Sequence, residues 1–170
     1  MEASQTENRP DPVFSARVEA DWIDHNGHMN VAYYTQVFDQ AADAFIQNLG
    51  FTPDYRERKN KTMMAVESHV AYEREAHNGD HLDVVVRLAA YDAKRFHLFC
   101  EMFHREDAVR AATCEWMLLH VDFAKRRATE FDDEEQVWLE RAMAMEGAFS
   151  PIVGAGRAIG LKAPTGSIIK

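Results

Sequence analysis

A carboxylate and two imidazoles crowd into the stretch Asp24-His25-Asn26-Gly27-His28-Met29-Asn30. The stretch turns on a glycine and runs straight into the most strongly periodic segment of the chain. Its side chains therefore stand just ahead of a helix N-terminus, where the first backbone N–H groups lack intrahelical acceptors. Such a spot binds an oxyanion, and a carboxylate beside oxyanion donors is the minimum apparatus for acyl transfer. The spacing equally allows a plainer role, in which Asp24 and Asn30 cap the helix and Gly27 turns the chain. His25 and His28 do not make a metal pair, because no Cys or Glu stands nearby at ligand spacing.

The elements that must position these groups follow from periodicity. Apolar residues at Val31, Tyr34, Phe38, Ala41, Phe45 and Leu49 step by three and four, drawing one stripe down a helix with Asn30 as N-cap and Gly50 as stop. Val13 to Ala20 alternates weakly as a first strand ahead of it. The charged run Tyr55 to Lys61 reads as a loop. Period two then takes over: Met63 to Arg74, Leu82 to Leu88, Phe96 to Phe103 and Val109 to Phe123 read as strands joined by hairpin-length turns. Strand, long helix, then antiparallel meander pack most economically as an α+β domain in which a curved antiparallel sheet wraps round a long central helix. That domain spans 13–131. Residues 132–146 read as a further helix opening with four acids, as its positive end favours. Residues 1–12 read as a flexible tail and 147–170 as an arm or disordered end. The string Gly154 to Gly160 superficially suggests a dinucleotide loop, but its last glycine falls one place late and no βαβ unit surrounds it.

Composition narrows the partners. A chain of 170 residues with a formal net charge of −9 is one domain that repels nucleic acid and anionic membrane at long range. No basic start with an apolar stretch behind it marks a signal peptide, and no apolar run is long enough to span a bilayer. Cys100 and Cys114 are too few for a disulfide framework and read as small core side chains, which fits a cytoplasmic protein.

The stretch Asp24 to Tyr34, with Asp39 following on the helix, resembles the Asp-x-x-Gly-His-x-Asn signature of hotdog-fold thioesterases of the 4-hydroxybenzoyl-CoA type. The resemblance runs from about Val13 to Phe131 and includes the order of elements. It implies an acyl-CoA thioesterase that releases free acid and CoA. In it Asp24 acts as nucleophile or general base, the N–H of Val31 as oxyanion donor, and Gly27 as a point of close backbone approach. His28 and Asn30 would hold the turn. No metal or other cofactor is required, since a thioester carbonyl is already electrophilic and thiolate leaves readily.

Glu67 and His69, two apart on one strand, share a sheet face. They are candidate substrate contacts, across a subunit interface in particular, because hotdog sites usually form there. Val66 to Val70, Asp21 to Asp24 and Leu118 to Asp122 are also similar to betainyl-CoA thioesterases of carnitine breakdown. A cationic acyl group needs aromatic faces, and Trp22, Trp116, Tyr33 and Tyr34 offer them. A homodimer or dimer of dimers is expected, since a lone protomer exposes a sheet edge. The rival readings are a hotdog hydratase, whose signature is missing, and a non-catalytic acyl-CoA-binding module, against which Asp24 speaks.

Overall fold

Asn30 starts the long helix as its side chain dictates: its backbone is extended and its Oδ1 accepts the Ala32 N–H at 3.0 Å. The computed structural model describes residues 8–159, and in it this helix, α1 (Val31–Leu49), ends at Gly50 with φ +126. Its buried face is Tyr34, Val37, Phe38, Ala41, Ala42 and Ile46. That face is rotated from the stripe the spacing suggests. Val31 is 57% exposed, and Phe45 and Leu49 are half-buried.

The charged run expected to be a loop is a helix, α2 (Pro53–Lys59). Thr52 caps it by accepting the Tyr55 N–H, proline occupies its first turn, and Asn60 ends it in the left-handed region at φ 51. Only Tyr55 turns inward from it.

A single antiparallel sheet follows. Strands β2 (Lys61–Tyr72), β3 (His81–Tyr91), β4 (Arg95–His104) and β5 (Arg110–Asp122) join β1 (Phe14–Arg17) in the order β1-β3-β4-β5-β2, and β6 (Arg127–Ala128) pairs with the end of β5. The alternating residues Leu82, Val84, Val86 and Leu88 of β3 point to α1, as do Phe96, Leu98, Cys100 and Met102 of β4. Phe38 and Phe96 are fully buried there, and each such side chain contributes roughly 1.5–3 kcal/mol. Cys100 and Cys114 are free thiols facing each other across β4 and β5 within this core. The sheet wrapped round α1 is the hotdog arrangement.

Because β1 has four residues, the far half of β3 would be an open edge. Helix α3 (Asp133–Glu146) covers it: the Glu146 carboxylate accepts the Leu88 N–H at 3.2 Å and pairs with Arg87 at 2.7 Å. The outer face is covered by the terminal stretches. Arg9 lies over the Phe103 ring at 3.7 Å, Ser150 N–H donates to Asn8 O, and Gly156 N–H donates to the Glu115 carboxylate at 2.7 Å. The described parts of the expected tail and arm are therefore bound to the sheet rather than free. Residues 1–7 and 160–170, the remainder of those expectations, lie outside the described residues. Among the described residues no helix is long and apolar enough to cross a membrane.

Candidate active site

The loop ahead of α1 is a tight hairpin built from its own backbone. Ile23 pairs with Met29, Asp24 N–H donates to His28 O at 3.1 Å, and Gly27 N–H donates to Asp24 O at 3.0 Å. Gly27 has φ +87, a conformation other residues enter only with strain. An added Cβ there would meet no protein atom within 4 Å, so the glycine serves the backbone angle rather than close packing within the chain. Asn26 N–H donates to Asp24 Oδ1 at 2.8 Å. This orients the carboxylate and leaves its second oxygen without a protein partner among the described residues. The Asn30 N–H is taken by Trp22 O at 2.9 Å and the Ala32 N–H by the Asn30 side chain. Between them, the Val31 N–H finds no acceptor among the described residues. A half-exposed carboxylate and a vacant helix-start donor thus share one short, rigid loop.

His28 does not hold this turn by strong hydrogen bonds. Its Nδ1 is 3.5 Å from Met29 O and its Nε2 3.8 Å from Glu75, both too long to carry the loop, which rests on backbone bonds instead. His25 is exposed. Tyr33 stacks on Trp22, with centroids 5.1 Å apart and rings 8° from parallel. Glu67 and His69 do share a face, but it is the outer one, away from α1. A bulge at Val66 shifts the β2–β5 register, so Glu67 stands opposite Met117 and His69 opposite Glu115, while Ser68 and Val70 take the helix side. Without that extra residue strict alternation from Met63 would have aimed both at the helix. His69 and His97 instead flank the Glu115 carboxylate at 3.9 and 2.8 Å. Several basic side chains are engaged in ion pairs: Arg58 with Glu134, Lys59 with Asp132, Arg95 with Asp92.

A groove of about 300 Å³ runs between the second half of α1 and β2, with Asp39, Asp43, Met63 and Trp116 in its walls. None of Asp24 to Asn30 lines it. Burial and the neighbouring Asp39 push the Asp43 carboxyl up. Beneath one end of this groove lies a buried network that the spacing of residues did not reveal. The Tyr55 hydroxyl donates to Glu135 at 2.6 Å and lies 2.8 Å from His120 Nε2. Burial and the Glu135 carboxylate push the phenol far above its ordinary value, so it keeps its proton and accepts from His120. A histidine inside the apolar run Leu118-Leu119-His120-Val121 was the available signal.

A long helix cradled by a curved antiparallel sheet defines the hotdog fold. The sequence model of the Thioesterase-like superfamily matches residues 18–139; the chain belongs to that superfamily and is a thioester hydrolase. It is 29% identical over 149 residues to a betainyl-CoA thioesterase of Pseudomonas aeruginosa, covering 88% of this chain and 94% of that one. It is 36% identical over 152 residues to an L-carnitine dehydrogenase/betainyl-CoA thioesterase of Agrobacterium fabrum, covering 88% of this chain but 31% of that protein. Among solved structures, a Staphylococcus aureus protein in complex with CoA superposes with a TM-score of 0.80 at 27% identity, over 87% of this chain and 93% of that one.

Proposed function

We propose that this chain hydrolyses a small or medium acyl-CoA to the free acid and CoA, with Asp24 as the catalytic carboxylate. The observation that carries the reading is the pairing of a carboxylate oxygen free of protein partners with the vacant Val31 N–H on one rigid loop. An oxygen of Asp24 adds to the thioester carbonyl carbon, or takes a proton from a water that does so. The charge that develops on the carbonyl oxygen meets the Val31 N–H and the positive end of α1. The C–S bond then breaks and CoA leaves as thiolate. On the nucleophilic route water finally cleaves the mixed anhydride at Asp24, and mass spectrometry of rapidly quenched enzyme separates the routes by the acyl adduct.

Betainyl-CoA heads the substrates to try, because curated relatives carry that activity in their names. Its ammonium sits two bonds from the carbonyl carbon, so whatever holds it must lie beside Asp24. The stacked Trp22 and Tyr33 rings flank that loop in sequence and suit a cation. A second copy of the chain is the expected partner: among the described residues β2 is an edge strand, and it carries Met64 and Val66, 41% and 55% exposed.

The test is release of CoA thiol from a panel of acyl-CoAs including betainyl-CoA, by wild type and Asp24→Asn. Asp24→Asn is expected to lose turnover by about 10³-fold or more with fold and binding kept. Unchanged turnover would remove Asp24 from the mechanism.

A further inference from the structure

We propose that Tyr34 is a positioning residue for thioester hydrolysis, one that clamps the Asp24 turn to the start of α1 through the backbone of Ala76. The proposal rests on the Asp24 reading and deepens it.

Tyr34 is the fourth residue of α1, on the same rigid element as the Val31 N–H. Its hydroxyl accepts the Ala76 N–H at 3.1 Å and donates to Arg74 O at 3.3 Å. Ala76 O in turn accepts the Met29 N–H at 2.7 Å. Met29 closes the Asp24 hairpin through its pairing with Ile23. The bonds form a ring: Met29 to Val31 to Tyr34 along the chain, Tyr34 to Ala76 by the phenol, and Ala76 back to Met29. Every member that makes the ring's hydrogen bonds is sealed from water, with Tyr34 3%, Ala76 0% and Met29 1% exposed. The Ala76 segment is itself anchored to β5, since the Glu73 and Arg74 N–H groups both donate to Ala111 O, at 2.8 and 3.0 Å.

The ring has a specific consequence for the site. Apart from this ring, the Asp24 turn is joined to α1 by Asn30 and by the stack of Trp22 on Tyr33, an aromatic contact that fixes no hydrogen-bond distance. The Ala76 bridge adds a buried, hydrogen-bonded tie that helps set the distance between the carboxylate and the Val31 N–H, the two groups that must meet the same carbonyl. A misplacement of about 1 Å in such a pair can lower the rate about 10²-fold. Phenylalanine at this position would fill the same volume but leave the buried Ala76 N–H without an acceptor. Substrate affinity, which depends on surfaces outside the ring, would be little affected.

Tyr34→Phe is compared with wild type for kcat and KM on betainyl-CoA and butyryl-CoA, using whichever the wild type hydrolyses. A Tyr55→Phe variant, which loses a buried hydroxyl at the other end of the molecule, serves as control. The expected result is a fall in kcat of about 10- to 100-fold for Tyr34→Phe with KM within about threefold, while Tyr55→Phe melts lower yet keeps its kcat. A kcat within about twofold of wild type overturns the proposal. So does an equal loss in Tyr55→Phe, which would make the effect one of general destabilisation. Should Tyr34→Phe not fold, hydrogen exchange on the wild type decides: the Met29 and Ala76 amides must open together, and independent opening overturns the clamp. Asp24→Asn is assayed in parallel, so an error in the Asp24 reading appears there and not in the Tyr34 result.

Discussion

Replacing Tyr55 by phenylalanine removes one oxygen from the junction of α2, β5 and α3, and the geometry there sets what the loss should be. Glu135 is fully buried, and one of its oxygens receives the Tyr55 hydroxyl at 2.6 Å. The other closes the capping box of α3. Lys61, at 3.9 Å, is the nearest cation and too distant to take over the hydrogen bond. His120 is also fully buried, and its Nε2–H has the same hydroxyl as acceptor. A hydrogen bond to a charged group is worth about 1.5–3 kcal/mol and a stranded buried N–H about 1 kcal/mol or more, so the variant should lose about 3 kcal/mol. For a chain of this length that is a fall in Tm of roughly 6–12 °C. The assay is thermal and urea unfolding at pH 8 and pH 5. Burial already pushes the Glu135 carboxyl up, and loss of its donor pushes it further. The deficit should therefore shrink at the lower pH, where the variant can protonate Glu135 instead of leaving a bare charge. A loss below about 0.5 kcal/mol at both pH values would refute the reasoning, because it would mean that water enters and replaces the hydroxyl.

Burial, and secondarily Lys61, lowers His120 from its ordinary value to about 4. The unfolded chain therefore takes up a proton between about pH 6.5 and 4 that the folded chain refuses, so stability is full above that window and falls as pH drops through it. His120→Gln should remove about 3 kcal/mol of that slope. A wild-type-minus-variant stability difference that stays flat from pH 7 to pH 4 would show that the imidazole is not held neutral. Glu135 remains in both proteins and largely cancels. At Gly50 an added Cβ would sit 2.6 Å from the Trp138 ring at a backbone φ of +126. Gly50→Ala should cost about 3 kcal/mol or more in urea unfolding, and a variant within about 0.5 kcal/mol of wild type would deny that the indole seals the end of α1.

What the sequence reveals and what it hides divide by the range of the interaction. The Asn30 cap, the Gly50 stop, the acidic opening of α3 and the alternation of β3 and β4 are decided by neighbours a few residues away, and each stands where local chemistry puts it. Helix α2 was hidden because it has no apolar stripe. Its Thr52-Pro53 start was visible, but the reason for its charged face, Arg58 and Lys59 against Glu134 and Asp132, lies far along the chain. The bulge at Val66 was hidden for another reason: one extra residue exchanges the two faces of a strand and leaves no mark in composition, and with it Glu67 and His69 turned outward. The candidate site repeats the division. Asp24, Gly27, Asn30 and Val31 lie close enough for spacing to group them, and a local turn does orient them. Many helices begin beside an aspartate that only caps, however, and spacing cannot separate those from a catalytic one. Here Asp24 does not cap: its carboxylate is bound by Asn26, Asn30 takes the cap, and the Val31 N–H is left over. The loop is then tied down from outside by Ala76 and Tyr34. Among the described residues this leaves one backbone donor and one carboxylate oxygen without a protein partner at the start of α1. Under the proposed mechanism, these are the two groups that a reacting carbonyl would meet.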